Sequence, residues 1–443
     1  MVFGGGYLVT DALAGRVVPV AEAVMPASPA VPVLSARRTP TVLSTLTRTG
    51  RFSRAAARFA ERVPSGGCAV VEWKGLEPVA LTPDAAVTPA STNKIVTAAV
   101  ALDVLGADRT FETVVHGDVD ASGSASALYL VGGGDPLLVR SGYPPSEKYP
   151  TINGTSMEDL VAALAAAGLR SVRGPIVAVD DRYDTERYVS SWPATFHKVE
   201  AGPIGALLVN DGLVTGESAR RDDPGVAAAT ELERMLGARG IPVTGAPVRG
   251  ALPGGVPAVA SVRSAPLTAV VQEMLVNSDN NTAEMLLKEM GRERKGQGTT
   301  AAGAAVVREV VDGWGLADGL VVVDGSGLSS ANKSTCRTLV GLLQRLEEVL
   351  PGLLAVAGRT GTLRDFFDGE PVEGRLVGKT GTLTGVKALA GYLPVEGDEP
   401  VVFALLMSRA GISQPSAFTP IWNALGDALD AASAAPAAEQ LAP

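Results

Sequence analysis

Pro89-Ala90-Ser91-Thr92-Asn93-Lys94-Ile95-Val96-Thr97-Ala98-Ala99-Val100-Ala101-Leu102 is the stretch whose reading decides the fold. Proline at its head suits the first turn of a helix, and Ile95, Val96, Ala98, Ala99 and Leu102 mark that helix as largely buried. Ser91 and Lys94 are spaced so that both fall on one face, about one helical turn apart. An amine that sheds its proton there can activate the hydroxyl as a nucleophile. The helix dipole and the free backbone N–H groups at this end favour developing negative charge. Many helices carry a serine and a lysine at this spacing on a solvated face. A lysine at the start of a buried helix, however, needs a partner or a task.

Two later segments add to this. Residues 271–290 read VQEMLVNSDNNTAEMLLKEM, an amphipathic helical pattern broken by Ser278-Asp279-Asn280. These residue types form caps and turns because their side chains bond local backbone. The segment is either an ordinary helix–loop–helix corner or a second hydroxyl and an amide aimed into a cleft. Residues 376–394 (LVGKTGTLTGVKALAGYLP) and 400–408 (PVVFALLMS) are two apolar runs joined by Glu396-Gly397-Asp398-Glu399. They predict an antiparallel hairpin with Lys379-Thr380-Gly381-Thr382 on its first strand. Gly381 inside a strand marks close approach of a ligand backbone.

The order S-x-x-K, S-x-N, K-T-G resembles the set found in penicillin-binding proteins and class A β-lactamases. The chain is more similar still to the D-alanyl-D-alanine carboxypeptidase/endopeptidase family, the class C low-molecular-mass penicillin-binding proteins (peptidase family S13). Further matches are Leu130-Val131-Gly132-Gly133-Gly134-Asp135-Pro136, Val179-Asp180-Asp181, Gly202-Pro203-Ile204-Gly205-Ala206-Leu207, Asp324-Gly325-Ser326-Gly327-Leu328-Ser329 and Gly358-Arg359-Thr360-Gly361-Thr362-Leu363. The resemblance runs from about residue 50 to about residue 430.

The resemblance implies roles. Ser91 would attack the carbonyl between two D-alanines, with Lys94 as base, and Ser278 would relay a proton to the leaving amine. Asn280 would position Lys94 and bind the substrate amide. Lys379 would face the substrate carboxylate or lower its neighbours' pKa, while Thr380 and Thr382 would hydrogen-bond that carboxylate. The backbone N–H groups of Ser91 and Thr382 would form the oxyanion hole. Peptidoglycan stem peptides are the implied substrate and β-lactam antibiotics the implied covalent inhibitors, with no cofactor. Two alternatives stay open: a β-lactamase or esterase on the same fold, and a catalytically idle binding module. A class A β-lactamase would want a glutamate to activate water, and no clear E-x-x-L-N segment lies between Asn280 and Lys379.

Lysine supply supports the assignment of bases. Of 38 basic residues nine are lysines, and Lys94 and Lys379 both fall in the motifs. Arginine could not serve as a titratable base. Arg359-Thr360-Gly361-Thr362 imitates the third motif, but Leu363-Arg364-Asp365-Phe366-Phe367-Asp368-Gly369 behind it lacks strand alternation. That segment is expected to be a loop near the site.

The net charge of −9 and pI ≈ 5.0 exclude the basic stripe of a nucleic-acid binder. His116 and His197 are too few and too separated for a zinc site, and no G-x-S-x-G elbow supports a Ser-His-Asp triad. Asp135 and Asp324 sit beside glycines, and with Asp180 they read as turn residues. Cys68 and Cys336 lack C-x-x-C spacing; two buried thiols are expected, although an exported protein could join them in a disulfide.

The fold class expected is α+β: a β-lactamase/transpeptidase-like catalytic domain, an antiparallel sheet flanked by helices, with an inserted β-rich module. The catalytic domain is placed at 52–117 and 261–430 and the insertion, of one or two small domains, at 118–260. Within the insertion, 128–131 and 176–179 read as strands and 158–168 as a helix. Residues 1–51 read as a leader remnant and Pro/Ala-rich linker, and 431–443 as a mobile tail. The family acts outside the cytoplasmic membrane, so an extracytoplasmic location is expected. Residues 1–9 are too short for an export signal, which suggests that the start lies inside a longer leader.

Overall fold

The computed structural model describes residues 39–143 and 149–433. A six-stranded antiparallel sheet is built from β1 (Cys68–Trp73), β2 (Leu76–Leu81), β12 (Ala355–Val356), β13 (Val377–Leu383), β14 (Val386–Leu393) and β15 (Val401–Ser408), in the order β12-β13-β14-β15-β1-β2. An antiparallel strand usually alternates apolar and polar residues, yet β15 is an unbroken apolar run because both faces of this sheet are covered. Val402, Ala404 and Leu406 pack under α2 (Asn93–Leu105), α5 (Leu267–Val276), α6 (Asn280–Lys295) and α8 (Cys336–Arg345). Val401, Phe403, Leu405 and Met407 pack against α1 (Thr39–Ala60) and α9 (Pro415–Ser433). Period-two alternation thus feeds two cores, one per face. The disulfide Cys68–Cys336 joins β1 to the start of α8, where two buried thiols were expected.

A second, five-stranded sheet runs β10-β9-β5-β3-β11. Its strands are β3 (Glu112–His116), β5 (Leu128–Val131), β9 (Ile176–Val179), β10 (Val248–Arg249) and β11 (Ala258–Arg263). Between them lie α3 (Met157–Ala166), α4 (Pro224–Ala238) and two short ribbons, β4 (Ser124–Ala125) with β8 (Ser171–Val172) and β6 (Leu138–Val139) with β7 (Thr155–Ser156). Strands β5, β9 and β10 are parallel neighbours linked through α3 and α4, as parallel strands require a crossover. Leu160, Leu164, Leu232 and Leu236 of these helices pack on Leu128, Leu130, Ile176 and Ala178. The expected β-rich module is thus present, with α3 and α4 packed on its sheet as an α/β unit. With β3 and β11, which pair with each other rather than with the larger sheet, this unit spans 112–263. A further helix, α7 (Thr300–Gly313), packs beside α6.

Three other expectations change. The run 376–394 is two strands, not one: β13 turns back at Thr384-Gly385, where Gly385 has φ +74°, and the 396–399 turn joins β14 to β15. The linker to residue 51 includes the first half of α1, whose Arg48 and Arg51 donate to the carbonyls of Ala432 and Ala431. Residues 431–433 accordingly belong to α9, not to a tail. The rest of both terminal expectations lies outside the described residues.

Candidate active site

Ser91 and Lys94 stand where a single 3-10 turn, Ala90–Thr92, runs into α2. Thr92 Oγ1 donates to Pro89 O (2.7 Å) and closes that turn. Ala90 takes φ +48°, a region costly for any residue with a side chain, and the turn is held from outside. Gly327 lies so close that a Cβ there would stand 1.9 Å from Ala90 O.

Lys94 is fully buried, and its Nζ has three neighbours: Ser91 Oγ at 3.3 Å, Asn280 Oδ1 at 2.6 Å and Ser326 O at 2.8 Å. A neutral amine has two N–H groups and one lone pair. The two carbonyl-type oxygens take the hydrogens, which leaves the lone pair for the Ser91 hydroxyl. Burial lowers the Lys94 pKa to about 8, against the opposing pull of Glu284, Asp279, Asp324 and Glu200. The fold thus brings a lysine into the range where a base works near neutral pH.

Asn280 and Ser278 come from the break between α5 and α6. Asn277 ends α5, Ser278 adopts φ +65°, and Asp279 caps α6 by accepting from Thr282 N (2.5 Å). Asn280 Nδ2 donates to Glu200 O (2.6 Å), so this amide spans from Lys94 to the 112–263 unit. Ser278 lines the same cleft as Ser91.

Lys379-Thr380-Gly381-Thr382 lies on β13. Gly381 faces the Ser91 turn, and a Cβ there would come within 2.7 Å of Pro89 O. Lys379 is fully buried, donates to Thr380 O (2.8 Å), and does not line the cleft. Burial, then the charges of Lys94 and Lys387, push its pKa well below the ordinary lysine value. Of the two roles expected for Lys379, the geometry favours shaping the local field over touching a carboxylate. Thr380 and Thr382 do line the cleft, which has a volume of about 640 Å³. The short β12 pairs only with Val377 and Gly378, so among the described residues the backbone edge of β13 beyond them has no strand beside it.

Sequence reasoning missed the support beneath Lys94. In the 324–329 loop, Asp324 accepts from Gly327 N, Ser329 N and Asn332 Nδ2 (2.7 Å each) and from Trp192 Nε1 (2.8 Å). Glu284, fully buried, accepts from Gly325 N (3.1 Å) and Ser326 N (2.7 Å) and fixes the carbonyl that Lys94 uses. Burial, with Asp324 nearby, raises the Glu284 pKa to about 7. The signal was available: Glu284 follows Asn280 by one helical turn and shares its face. Asp180, read as a turn residue, is buried in an ion cluster with Arg187 (2.9 Å) and Arg249 (3.2 Å).

The imitation motif 359–362 forms no strand. Gly361 packs on Val276 O and only Thr362 reaches the cleft. His116 bonds Val256 O at 3.0 Å and His197 stacks on Tyr188, and neither lines the cleft. Among the described residues no group of histidine, cysteine or carboxylate side chains is arranged to hold a metal ion.

The model of the D-Ala-D-Ala carboxypeptidase 3 (S13) family matches residues 79–226 and 213–421. A D-alanyl-D-alanine carboxypeptidase of Actinomadura sp. (strain R39) is 32% identical, over 69% of this chain and 70% of its own length. A carboxypeptidase of Mycobacterium tuberculosis is also 32% identical, over 76% and 74%. Among solved structures, penicillin binding protein 4 from Haemophilus influenzae superposes with a TM-score of 0.69, at 19% identity, over 85% of this chain and 98% of that one.

Proposed function

The chain belongs to the D-Ala-D-Ala carboxypeptidase 3 (S13) family, and on that premise we propose that Ser91 is its nucleophile and Lys94 its base. The enzyme is a serine-type D,D-peptidase acting on peptidoglycan stem peptides. The observation that carries the assignment is the environment of Lys94 Nζ, with two oxygens occupying its hydrogens and Ser91 Oγ left for its lone pair.

The substrate backbone lies along the open edge of β13, as an added strand would. Ser91 Oγ attacks the carbonyl carbon between the two D-alanines while its proton passes to Lys94 Nζ. The oxyanion faces the backbone N–H groups of Ser91 and Thr382. As the C–N bond breaks, the proton moves through Ser278 to the leaving amine of the terminal D-Ala, leaving an ester on Ser91. Water then cleaves the ester and restores the serine. Thr380 and Thr382 donate to the terminal carboxylate.

β-Lactams imitate the acyl-D-Ala-D-Ala end, so the same serine is their target. The Cys68–Cys336 disulfide supports an extracytoplasmic location, since such bonds persist in oxidising compartments. The test is the intact mass of the protein after brief exposure to benzylpenicillin, on the wild type and on Ser91→Ala. One stable adduct in the wild type alone supports the reading. Rapid drug hydrolysis without an adduct would replace it with a β-lactamase, and intact drug without an adduct with a binding module.

A further inference from the structure

Lys387 is a lysine that no part of this mechanism uses. It lies opposite Thr382 in the β13–β14 register, with both side chains on the face of the sheet that α9 covers. The residue is buried at 5% exposure, although it sits one strand from the cleft. Its Nζ is 4.0 Å from the ring centre of Phe418, 4.7 Å from that of Trp422 and 5.3 Å from that of Phe366. The rings touch one another as well: Phe418 and Trp422 at 4.8 Å, Phe366 and Trp422 at 5.2 Å. Three ring faces around one ammonium form a cage that holds a cation by its charge and orients it. From this cage Nζ donates to Thr382 Oγ1 at 2.9 Å.

The direction of that bond matters. An ammonium can only donate, whereas a threonine hydroxyl carries one hydrogen and two lone pairs. With Lys387 occupying a lone pair, the hydroxyl keeps its hydrogen for another acceptor. Thr382 is exposed in the cleft, so that hydrogen is available to an arriving ligand. We propose that Lys387, gripped by Phe366, Phe418 and Trp422, is a positioning residue that fixes the Thr382 hydroxyl as a donor toward the substrate's terminal carboxylate. The preference is then for a free carboxylate over an uncharged chain end, set by a residue that never touches the substrate. The inference rests on the reading of the cleft given above.

The test uses two substrates, an N-acylated tripeptide ending in D-Ala-D-Ala and its C-terminal carboxamide, with release of D-Ala or its amide measured. Lys387→Met fills the cage without a donor, and Lys387→Gln restores a neutral donor. The Met variant is expected to lose about tenfold in kcat/KM on the carboxylate and less than about twofold on the carboxamide, with part of the loss recovered in the Gln variant. Equal loss on both substrates, or none on either, would overturn the role. If neither variant folds, Phe418→Leu opens one wall of the cage and leaves the lysine. The same selective loss is expected there at smaller size, and an unselective one overturns the proposal. A wild type that releases nothing from the carboxylate substrate would instead sink the functional reading itself.

Discussion

Asn280 reaches Lys94 with its oxygen and Glu200 with its nitrogen, both at 2.6 Å, so one side chain ties the base to the smaller α/β unit. An aspartate at this position would keep the acceptor, lose the donor and place a negative charge beside the amine. Asn280→Asp is expected to raise the Lys94 pKa and move the acylation profile to higher pH. Second-order acylation rates by a β-lactam across the pH range check this; an unshifted profile would separate Asn280 from the base.

The wild-type profile has a predicted form. On the proposed base role, acylation needs neutral Lys94, whose pKa is lowered to about 8 chiefly by burial. The rate is expected to climb about tenfold per pH unit below that value and to level above it. Lys94→Ala should lose acylation almost as fully as Ser91→Ala. Near-normal acylation in that variant, followed by intact mass, would refute the role.

Gly381 is needed for contact between two elements distant in sequence. A methyl group there would meet Pro89 O at 2.7 Å and Ala388 Cβ at 3.1 Å, pushing β13 from the Ser91 turn. Gly381→Ala is expected to slow acylation at least tenfold, since positioning errors of about 1 Å cost about 10²-fold. The loss should exceed anything that a modest change in Tm explains, and stopped-flow acylation with parallel melting curves decides it.

Glu273 makes stability depend on pH. It is buried, accepts from Ile152 N (2.6 Å) and Asn277 Nδ2 (2.8 Å), and its pKa rises from an ordinary 4.5 to about 8, first through burial and then through Asp279. The folded state therefore holds this proton more tightly than the unfolded chain does. Its stability term is full below about pH 4.5 and falls as pH rises toward about 8. Glu273→Gln should raise Tm at about pH 8 relative to wild type and give no such gain at about pH 4.5. A gain independent of pH would count against the assignment.

The disulfide bridges residues 268 apart in sequence. In the chain-entropy treatment, closing so long a loop stabilises by about 5 kcal/mol. Cys68→Ser with Cys336→Ser is expected to lower the urea midpoint strongly while leaving acylation at 25 °C intact, because the bond lies away from the cleft. Equal midpoints with and without the bridge would contradict this.

Much of the site was legible because its chemistry needs fixed residue types at fixed helical or strand spacings. Ser91, Lys94, Ser278, Asn280, Thr380 and Thr382 could be named once three short motifs were matched to a family's order; Ser91, Ser278, Asn280, Thr380 and Thr382 line one cleft, with Lys94 buried against Ser91. What local pattern hides is the support. Ser326 serves through a carbonyl, which every residue has, so nothing in its identity marks it. Helix α6 is polar in sequence yet buried from Asn281 to Gly291, because Glu284, Lys288 and Glu289 each find partners from remote segments. Within the 112–263 unit, the apolar runs 128–131 and 176–179 read as strands and 158–168 as a helix, while the parallel pairing of those strands, and so the role of α3 and α4 between them, is a long-range property.

The Cys68–Cys336 bond closes a ring of main chain that contains Ser91, Lys94, Ser278, Asn280 and the whole of 112–263. A protease cutting any surface loop of that unit opens the ring without dividing the molecule. The two resulting pieces, one bearing Ser91 and the other Lys379, stay on a single covalent object until a reductant reaches the sulfurs. Nicked enzyme can thus run as full-length protein on an oxidised gel and as two bands on a reduced one, so damage at an exposed loop need not scatter the catalytic parts.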